Sequence, residues 1–190
     1  MMKTFLPVVC LFLASIASGC GSSPSGSPRP LDPNAFAQDY RFADNDVNGW
    51  TQDPASDGFW AGTDLVGGTS IDGAAGAYTD QGFVQGMFQM LVGPSSQTCT
   101  IRAMDFGTVA HAKAMYESAV KNSVFEATAI PTYDPSIATG QAAQSGLTAY
   151  AHFGASYFEV YLSGLGDQTL TCTQCPVAQQ FIAKLEAKTK

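Results

Sequence analysis

Apolar residues recur at helical spacing in three segments of the chain. In residues 71–78, 109–120 and 177–185 they fall three or four positions apart, which places them on one side of a helix. Thr108 precedes the second segment and is a suitable N-cap, whereas Pro176 stands at the first turn of the third, where its missing N–H costs nothing. The pattern therefore predicts three helices.

Four further segments have the composition of strands, and they form two pairs. Residues 83–91 and 98–105 flank one short turn, and residues 147–153 and 157–162 flank another, so each pair predicts a hairpin. The segment 122–146 is expected to contain a strand and a loop. The order helix, hairpin, helix, hairpin, helix predicts an α+β domain, in which an antiparallel sheet built from hairpins has its helices packed on one face.

The first twenty residues combine a basic start, an apolar run and a terminal cysteine. Lys3 supplies the positive charge, and residues 5–16 are too few to span a bilayer as a helix. Small residues then lead into Cys20, an order that resembles the bacterial lipoprotein signal. The resemblance implies removal of residues 1–19 and lipidation of Cys20, which would anchor the protein stably in a membrane. The alternative is an ordinary secretory signal with a coincidental cysteine.

Ser, Gly and Pro dominate the segment that follows this cysteine. We therefore expect residues 20–34 to form the lipidated cysteine and a disordered tether, and residues 35–190 to form a single α+β domain. No aspartate directly follows Cys20. By resemblance to enterobacterial sorting rules, this favours the outer membrane as the destination within the bacterial cell envelope.

Acidic residues outnumber basic ones, sixteen to nine, and the imbalance is local. The stretch from residue 32 to residue 80 contains nine aspartates and one basic residue, Arg41. A nucleic-acid partner requires basic surface to neutralise phosphates, and the chain provides no such cluster. The composition therefore argues against a nucleic-acid partner. The remaining expected partners are the membrane, which the protein would contact through its lipid, and an unknown protein or small molecule.

Three cysteines other than Cys20 remain after the leader: Cys99, Cys172 and Cys175. In an oxidising envelope, Cys99 on a predicted strand can form a structural disulfide with Cys172 or Cys175, which would fix the last helix. Alternatively, Cys172 and Cys175 form a redox pair, because Cys175 stands at a helix N-terminus that favours the thiolate. A metal site is a third interpretation of the same residues.

The run Asp44-Asn45-Asp46-Val47-Asn48-Gly49 matches the first half of a calcium-binding loop. Oxygen-bearing side chains occupy alternate positions in Asp44, Asp46 and Asn48, and a glycine follows at the sixth. The twelfth position is Ala55 instead of the usual glutamate. These residues therefore predict either a calcium site or an ordinary turn with local hydrogen bonds. Calcium is the one cofactor that the sequence suggests.

No catalytic motif accompanies the two histidines, His111 and His152. The sequence contains no nucleophile elbow, phosphate-binding loop, dinucleotide fingerprint or His-Glu-x-x-His run. Glu117, Glu126 and Glu159 lie on separate predicted elements, so a paired-carboxylate hydrolase cannot be argued from the pattern. We therefore assign no catalytic residue and favour a protein that is not an enzyme.

Several motifs between residues 40 and 120 resemble a group of uncharacterised bacterial secreted and lipoprotein domains. The shared features are Asn48-Gly49-Trp50, Ile71-Asp72-Gly73-Ala74-Ala75, Tyr78, Gly82-Phe83, Met104-Asp105-Phe106-Gly107 and Tyr116. The chain departs from the family pattern at Gly76, where glutamate is usual, and at Gln81, where tyrosine is common. The resemblance implies an envelope location and the same fold, but no established activity.

Together these observations predict a lipid-anchored cell-envelope protein with a binding or structural role. The aromatic segment 153–161 can either line a groove for a small ligand or peptide or belong to the core. Two alternatives from other classes remain. One is a thiol–disulfide redox protein that uses Cys172 and Cys175. The other is a calcium-stabilised surface module that uses Asp44, Asp46 and Asn48.

Overall fold

Strands from both halves of the chain join one antiparallel sheet in the computed structural model, which describes residues 31–61, 75–130, 140–164 and 176–189. Within these residues the strands are β1 Thr51–Ala61, β2 Gln85–Val92, β3 Thr98–Asp105, β4 Thr128–Ala129, β5 Gln141–Ser145, β6 Thr148–Phe153 and β7 Ser156–Ser163. Their order across the sheet is β1-β2-β3-β7-β6-β5-β4. The last strand of the chain therefore lies at the centre, between β3 and β6.

The described helices are α1 Pro33–Tyr40, α2 Ala75–Thr79, α3 Val109–Lys121 and α4 Pro176–Thr189. The second and third predicted helices are confirmed as α3 and α4, and Thr108 caps α3 by accepting a hydrogen bond of 3.2 Å from the His111 N–H. Helix α2 covers the end of the first predicted helix, whose residues 71–74 lie outside the described residues.

Helix α1 is a difference from the predicted organisation, which placed residues up to 34 in a disordered tether. Asp32 caps this helix by accepting hydrogen bonds from the backbone N–H groups of Asn34 and Ala35. The helix then begins at Pro33, before the predicted domain boundary at residue 35. The N-terminal part of the tether, residues 20–30, lies outside the described residues.

Both predicted hairpins are confirmed, since β2 pairs with β3 and β6 pairs with β7. The segment 122–146 contains two strands, β4 and β5, where one was predicted. Strand β1 was not predicted at all, because its sequence is polar and its pairing with β2 shifts register between Asp53 and Gly58. A polar strand with a bulge lacks the alternation by which strands are recognised.

The helices divide between the two faces of the sheet. Alternate residues of β7 point to opposite faces, so Phe158 and Val160 pack with α1 and α4, whereas Tyr157 packs with α2 and α3. The α+β class and the hairpin-built antiparallel sheet are thus as predicted. The prediction placed the helices on one face of the sheet. In the structure α1 and α4 lie on one face, whereas α2 and α3 lie on the opposite face.

An aromatic cluster holds the larger of the two cores together. Phe181 of α4 packs against the rings of Phe42 and Trp50, with centroid distances of 5.4 and 5.3 Å. Tyr40 of α1 meets Phe158 of β7 at 5.1 Å. All five side chains are buried, so helices α1 and α4 cover this part of the sheet.

Candidate functional site

Three rows of side chains cross the opposite face of β3, β7 and β6. The pairing aligns Arg102 with Glu159 and Tyr150, and Thr100 with Tyr161 and Thr148. A third row consists of Met104, Tyr157 and His152. Residues two apart on a strand share a face, so the three rows lie side by side.

Helix α3 covers the third row and leaves the other two accessible. Met104, Tyr157 and His152 are buried, and the first two pack in one cluster with Ala112 and Met115 of α3. By contrast, each side chain of the other two rows is half-buried or exposed. A boundary between covered and accessible side chains therefore runs along the edge of α3.

The two accessible rows form a groove of about 480 Å³. Its lining consists of Thr100, Arg102, Thr148, Tyr150, Glu159 and Tyr161. This volume lies within the range of small-molecule sites in proteins. We take this groove as the candidate functional site.

Glu159 is the centre of the polar network at the floor of the groove. One carboxylate oxygen, Oε2, accepts a hydrogen bond of 3.0 Å from the Arg102 guanidinium. The other, Oε1, accepts from the Tyr157 hydroxyl at 2.9 Å and from the Tyr78 hydroxyl at 3.3 Å. Burial and the nearby Glu159 carboxylate raise the pKa of both tyrosines. Both phenols therefore stay protonated at neutral pH and act as hydrogen-bond donors.

The rim of the groove is apolar on the side of β5 and β6. Tyr161 is 49 % exposed, and Val124 and Phe125 are 90 % and 49 % exposed. Phe125 is held in place because Ser145 Oγ donates to its carbonyl at 2.7 Å and accepts from its N–H at 3.2 Å. A smaller depression of about 260 Å³ continues the groove between these residues and Leu147.

The turn between β5 and β6 requires a glycine at position 146, where it approaches the Phe125 ring of the rim. The φ of Gly146 is +58°, a left-handed conformation that side chains rarely adopt. A Cβ at this position would also lie 2.9 Å from the Phe125 ring. The close approach of the turn therefore fixes the position of Phe125 at the end of the groove.

His152 lies beneath α3 and does not reach the groove. Its side chain is 2 % exposed and packs against the Tyr116 ring, with the centroids 5.4 Å apart and the planes tilted by 55°. Neither ring nitrogen makes a hydrogen bond of good geometry among the described residues, although the Gly154 backbone interacts with the ring and favours its protonation. Burial, followed by repulsion from Lys113, lowers the pKa of His152 from 6.5 to about 4, with Glu117 opposing the shift. The ring is therefore neutral at physiological pH.

The predicted calcium loop is a compact turn between α1 and β1. Asp44 Oδ1 accepts a hydrogen bond of 2.8 Å from the Gln52 N–H. Asp46 lies 3.3 Å from the Lys184 ammonium and 3.5 Å from that of Lys188, both on α4. Asn48 is exposed beside them. Asp44 thus connects the loop to β1, and Asp46 connects it to α4.

The ionisation of Asp46 follows from the same contacts. Burial raises its pKa, but the Ala43 N–H and the two lysines outweigh burial and lower the pKa below 3.8. No group of three or more His, Cys, Asp or Glu side chains suited to a metal ion occurs in the described part of the chain. The calcium hypothesis remains a prediction.

Of the cysteines, the structure describes Cys99 on β3. Its side chain is fully buried and has no disulfide partner among the described residues, and burial raises the pKa of its thiol well above 9.0. Cys20, Cys172 and Cys175 lie outside the described residues. Lipidation, the disulfide to Cys99 and the redox pair therefore all remain predictions.

The sequence predicted that the aromatic segment 153–161 would either line a groove or belong to the core, and in the structure its residues divide between the two. Phe153, Phe158 and Val160 belong to the core, whereas Glu159 and Tyr161 face the groove. The alternation within the strand carried this signal. The partners on β3 and β6, however, are set by sheet register, which sequence alone did not provide.

The comparisons with known proteins concern the fold. No protein-family model matches the chain, and no curated protein sequence matches it. The chain is similar in structure to the extracellular domain of PknH from Mycobacterium tuberculosis. The TM-score is 0.52 at 8 % identity, over 85 % of this chain and 98 % of that chain. This similarity supports the α+β arrangement.

The four described helices are all too short or too polar to cross a membrane.

Proposed function

We propose that this protein is an extracytoplasmic binding module, anchored by lipid on Cys20, that holds a small ligand in the groove. The leader sequence supports export and anchoring, and the absence of aspartate after Cys20 supports the outer membrane. The structurally similar chain is described as an extracellular domain, which agrees with a location outside the cytoplasm.

One observation carries the binding role: two rows of side chains on the central strands stay accessible while the neighbouring row is buried by α3. Central strands normally bury both faces when helices pack on both sides of a sheet. Here polar and aromatic side chains line a concave surface instead. This combination is typical of ligand sites.

The state of the ionisable groups favours binding over catalysis. Three donors engage both carboxylate oxygens of Glu159 and hold the group within the polar network. The raised pKa values of Tyr78 and Tyr157 disfavour their role as bases. His152, the nearest imidazole on this face, is covered by α3. The groove thus offers a preformed polar surface without an evident nucleophile.

The groove can be tested by NMR mapping of the domain from Gly21 against a diverse fragment library. We expect amide shifts to cluster at residues of β3, β6 and β7 that line the groove. Thr148→Trp should fill the groove and abolish these shifts. Thr51→Trp, the matched change at an exposed position on β1, should leave them intact. Fragment shifts that cluster elsewhere, or that survive Thr148→Trp, would contradict the proposal.

The anchor can be tested separately by metabolic labelling with an alkyne-bearing fatty acid, followed by membrane fractionation. We expect the label on the full chain, with the protein in the outer-membrane fraction. Cys20→Ser should remove both the label and the membrane association. An unlabelled wild-type protein would point to an ordinary secretory signal, and a labelled Cys20→Ser variant would show that the lipid is attached at another residue.

A further inference from the structure

We infer that the groove recognises a neutral, hydroxyl-rich ring, namely a saccharide unit. This inference rests on the proposed binding function and assigns its ligand class. Three features of the lining carry it: the charge balance at the floor, the hydroxyl groups around it, and the aromatic surface at its side.

The paired charges of the groove lining disfavour strongly charged ligands. Arg102 and Glu159 are the charged groups of the lining, and they form an ion pair of 3.0 Å. An anion attracted by Arg102 would be repelled by Glu159. A cation attracted by Glu159 would be repelled by Arg102. Capturing either would also require breaking a partly buried ion pair, which is costly. A neutral ligand avoids both penalties.

Hydroxyl groups surround this neutral pair. Thr100 and Thr148 lie on either side of Tyr161 in one row, and Tyr150 lies beside Glu159 in the other. Burial, followed by repulsion from Glu159, raises the pKa of Tyr150, so its phenol stays protonated. A hydroxyl both donates and accepts hydrogen bonds, as do the hydroxyls of a sugar. The lining can therefore match a polyhydroxylated ring in several orientations.

Aromatic surface completes the site. Tyr161 on β7 and Tyr150 on β6 are diagonal neighbours, because Tyr161 pairs with Thr148 and Tyr150 with Glu159. Tyr161 leaves about half of its side chain exposed beside the groove. A sugar ring has an apolar C–H face and a polar edge. An amphipathic tyrosine can pack against the first while the hydroxyls and Arg102 bind the second.

A peptide strand is a poorer match for the same surface. Added strands bind through backbone groups at an open sheet edge. The groove lies on β3, β7 and β6, and each of these strands is already paired on both sides. A ligand in the groove can therefore contact side chains only.

The test titrates the 15N-labelled domain from Gly21 with cellotriose, maltotriose, mannotriose and tri-N-acetylchitotriose, and separately with inorganic phosphate and spermidine. We expect at least one trisaccharide to shift groove amides, including those of Thr100, Tyr150 and Tyr161. Tyr161→Ala should weaken this binding about tenfold, whereas Tyr161→Phe should retain most of it. Val109→Ala, an exposed apolar position on α3, is the control and should bind like wild type.

The outcomes separate the ligand class from the binding role. If no trisaccharide shifts the groove amides, or if binding is unaffected by Tyr161→Ala, the saccharide inference is overturned. In that case groove shifts with phosphate or spermidine, or with the fragment library, would preserve the proposed function. A groove that binds none of these probes would overturn both.

Discussion

The Glu159 carboxylate of β7 accepts a hydrogen bond of 3.0 Å from the Arg102 guanidinium of β3. The two residues are 57 positions apart in sequence, and the sheet register makes them direct neighbours. Tyr78 and Tyr157 donate to the other carboxylate oxygen. The floor of the groove is thus a fixed polar network and not a set of independent surface residues.

We expect Glu159→Ala to destabilise the domain by about 2 kcal/mol, because it leaves one guanidinium and two hydroxyls without their acceptor. Urea unfolding followed by circular dichroism measures this difference. Glu117→Ala is the matched control, since Glu117 forms an exposed pair with Lys113 and should change stability by no more than about 0.5 kcal/mol. Equal effects of the two substitutions would show that the network contributes nothing beyond a surface ion pair.

Acidification should weaken the packing of α3 on the sheet. The pKa of His152 falls from 6.5 in the unfolded chain to about 4 in the fold, so its contribution is complete above pH 6.5 and is lost as the pH falls towards 4. The expected loss is about 2 to 3 kcal/mol. His152→Phe should remove this part of the pH dependence, whereas His111→Gln, an exposed control, should retain it. Parallel pH profiles for wild type and His152→Phe would contradict the assignment.

Two glycine substitutions should have opposite effects. A Cβ on Gly93 would lie 2.7 Å from the buried Trp50 indole, so Gly93→Ala should destabilise by about 1 to 3 kcal/mol. A Cβ on Gly76 meets nothing within 4 Å on exposed helix α2, so Gly76→Ala should stabilise by about 0.5 to 1 kcal/mol. Thermal melts of both variants decide this. A stabilised Gly93→Ala would mean that Trp50 is not packed against this turn.

Asp46 should act as a clamp between the loop and α4. Asp46→Asn weakens its contacts with Lys184 and Lys188, and we expect a loss of about 1 kcal/mol at neutral pH. Because the pKa of Asp46 is lowered, this contribution is present above pH 3.8 and should be lost progressively as the pH falls from 3.8 through the lower pKa of the folded state. Added calcium should leave the melting temperature unchanged. A rise with millimolar calcium that Asp44→Ala abolishes would support the calcium-stabilised module instead.

Cys99 should react with alkylating reagents only after unfolding, because its thiol is buried and its pKa is raised. A non-reducing peptide map, made after alkylation in native buffer and again in urea, measures this. We expect Cys99 to be labelled in urea alone. Recovery of Cys99 in a disulfide with Cys172 or Cys175 would support the predicted staple of the last helix. A Cys172–Cys175 link beside a free Cys99 would favour the redox alternative.

Local sequence predicted the elements whose signals are local. Thr108 caps α3 and Pro176 begins α4 because cap chemistry and apolar spacing act within a few residues. Helix α1 also has local signals, since Asp32 caps it and Pro33 begins it, but its burial is tertiary: Phe36 and Tyr40 are buried against the sheet. Gln85 also accepts a hydrogen bond from the Asp32 N–H. The Pro-rich surroundings of α1 were typical of a linker.

The groove could be predicted only in part for the same reason. Residues 157–162 were predicted as a strand, and the aromatic segment 153–161 was predicted to line a groove or belong to the core. That Arg102 and Tyr150 flank Glu159, however, depends on β7 inserting between β3 and β6. Hairpin pairing is local, but the order of hairpins within a sheet is set by long-range packing.

The most direct test of the central claim, that the two accessible rows form a ligand site, is a crystallographic fragment soak of the domain from Gly21. We expect ligand density over the Arg102–Glu159 pair, in contact with Tyr150 or Tyr161. Fragments that bind other surfaces while the groove stays empty and open to solvent would contradict it.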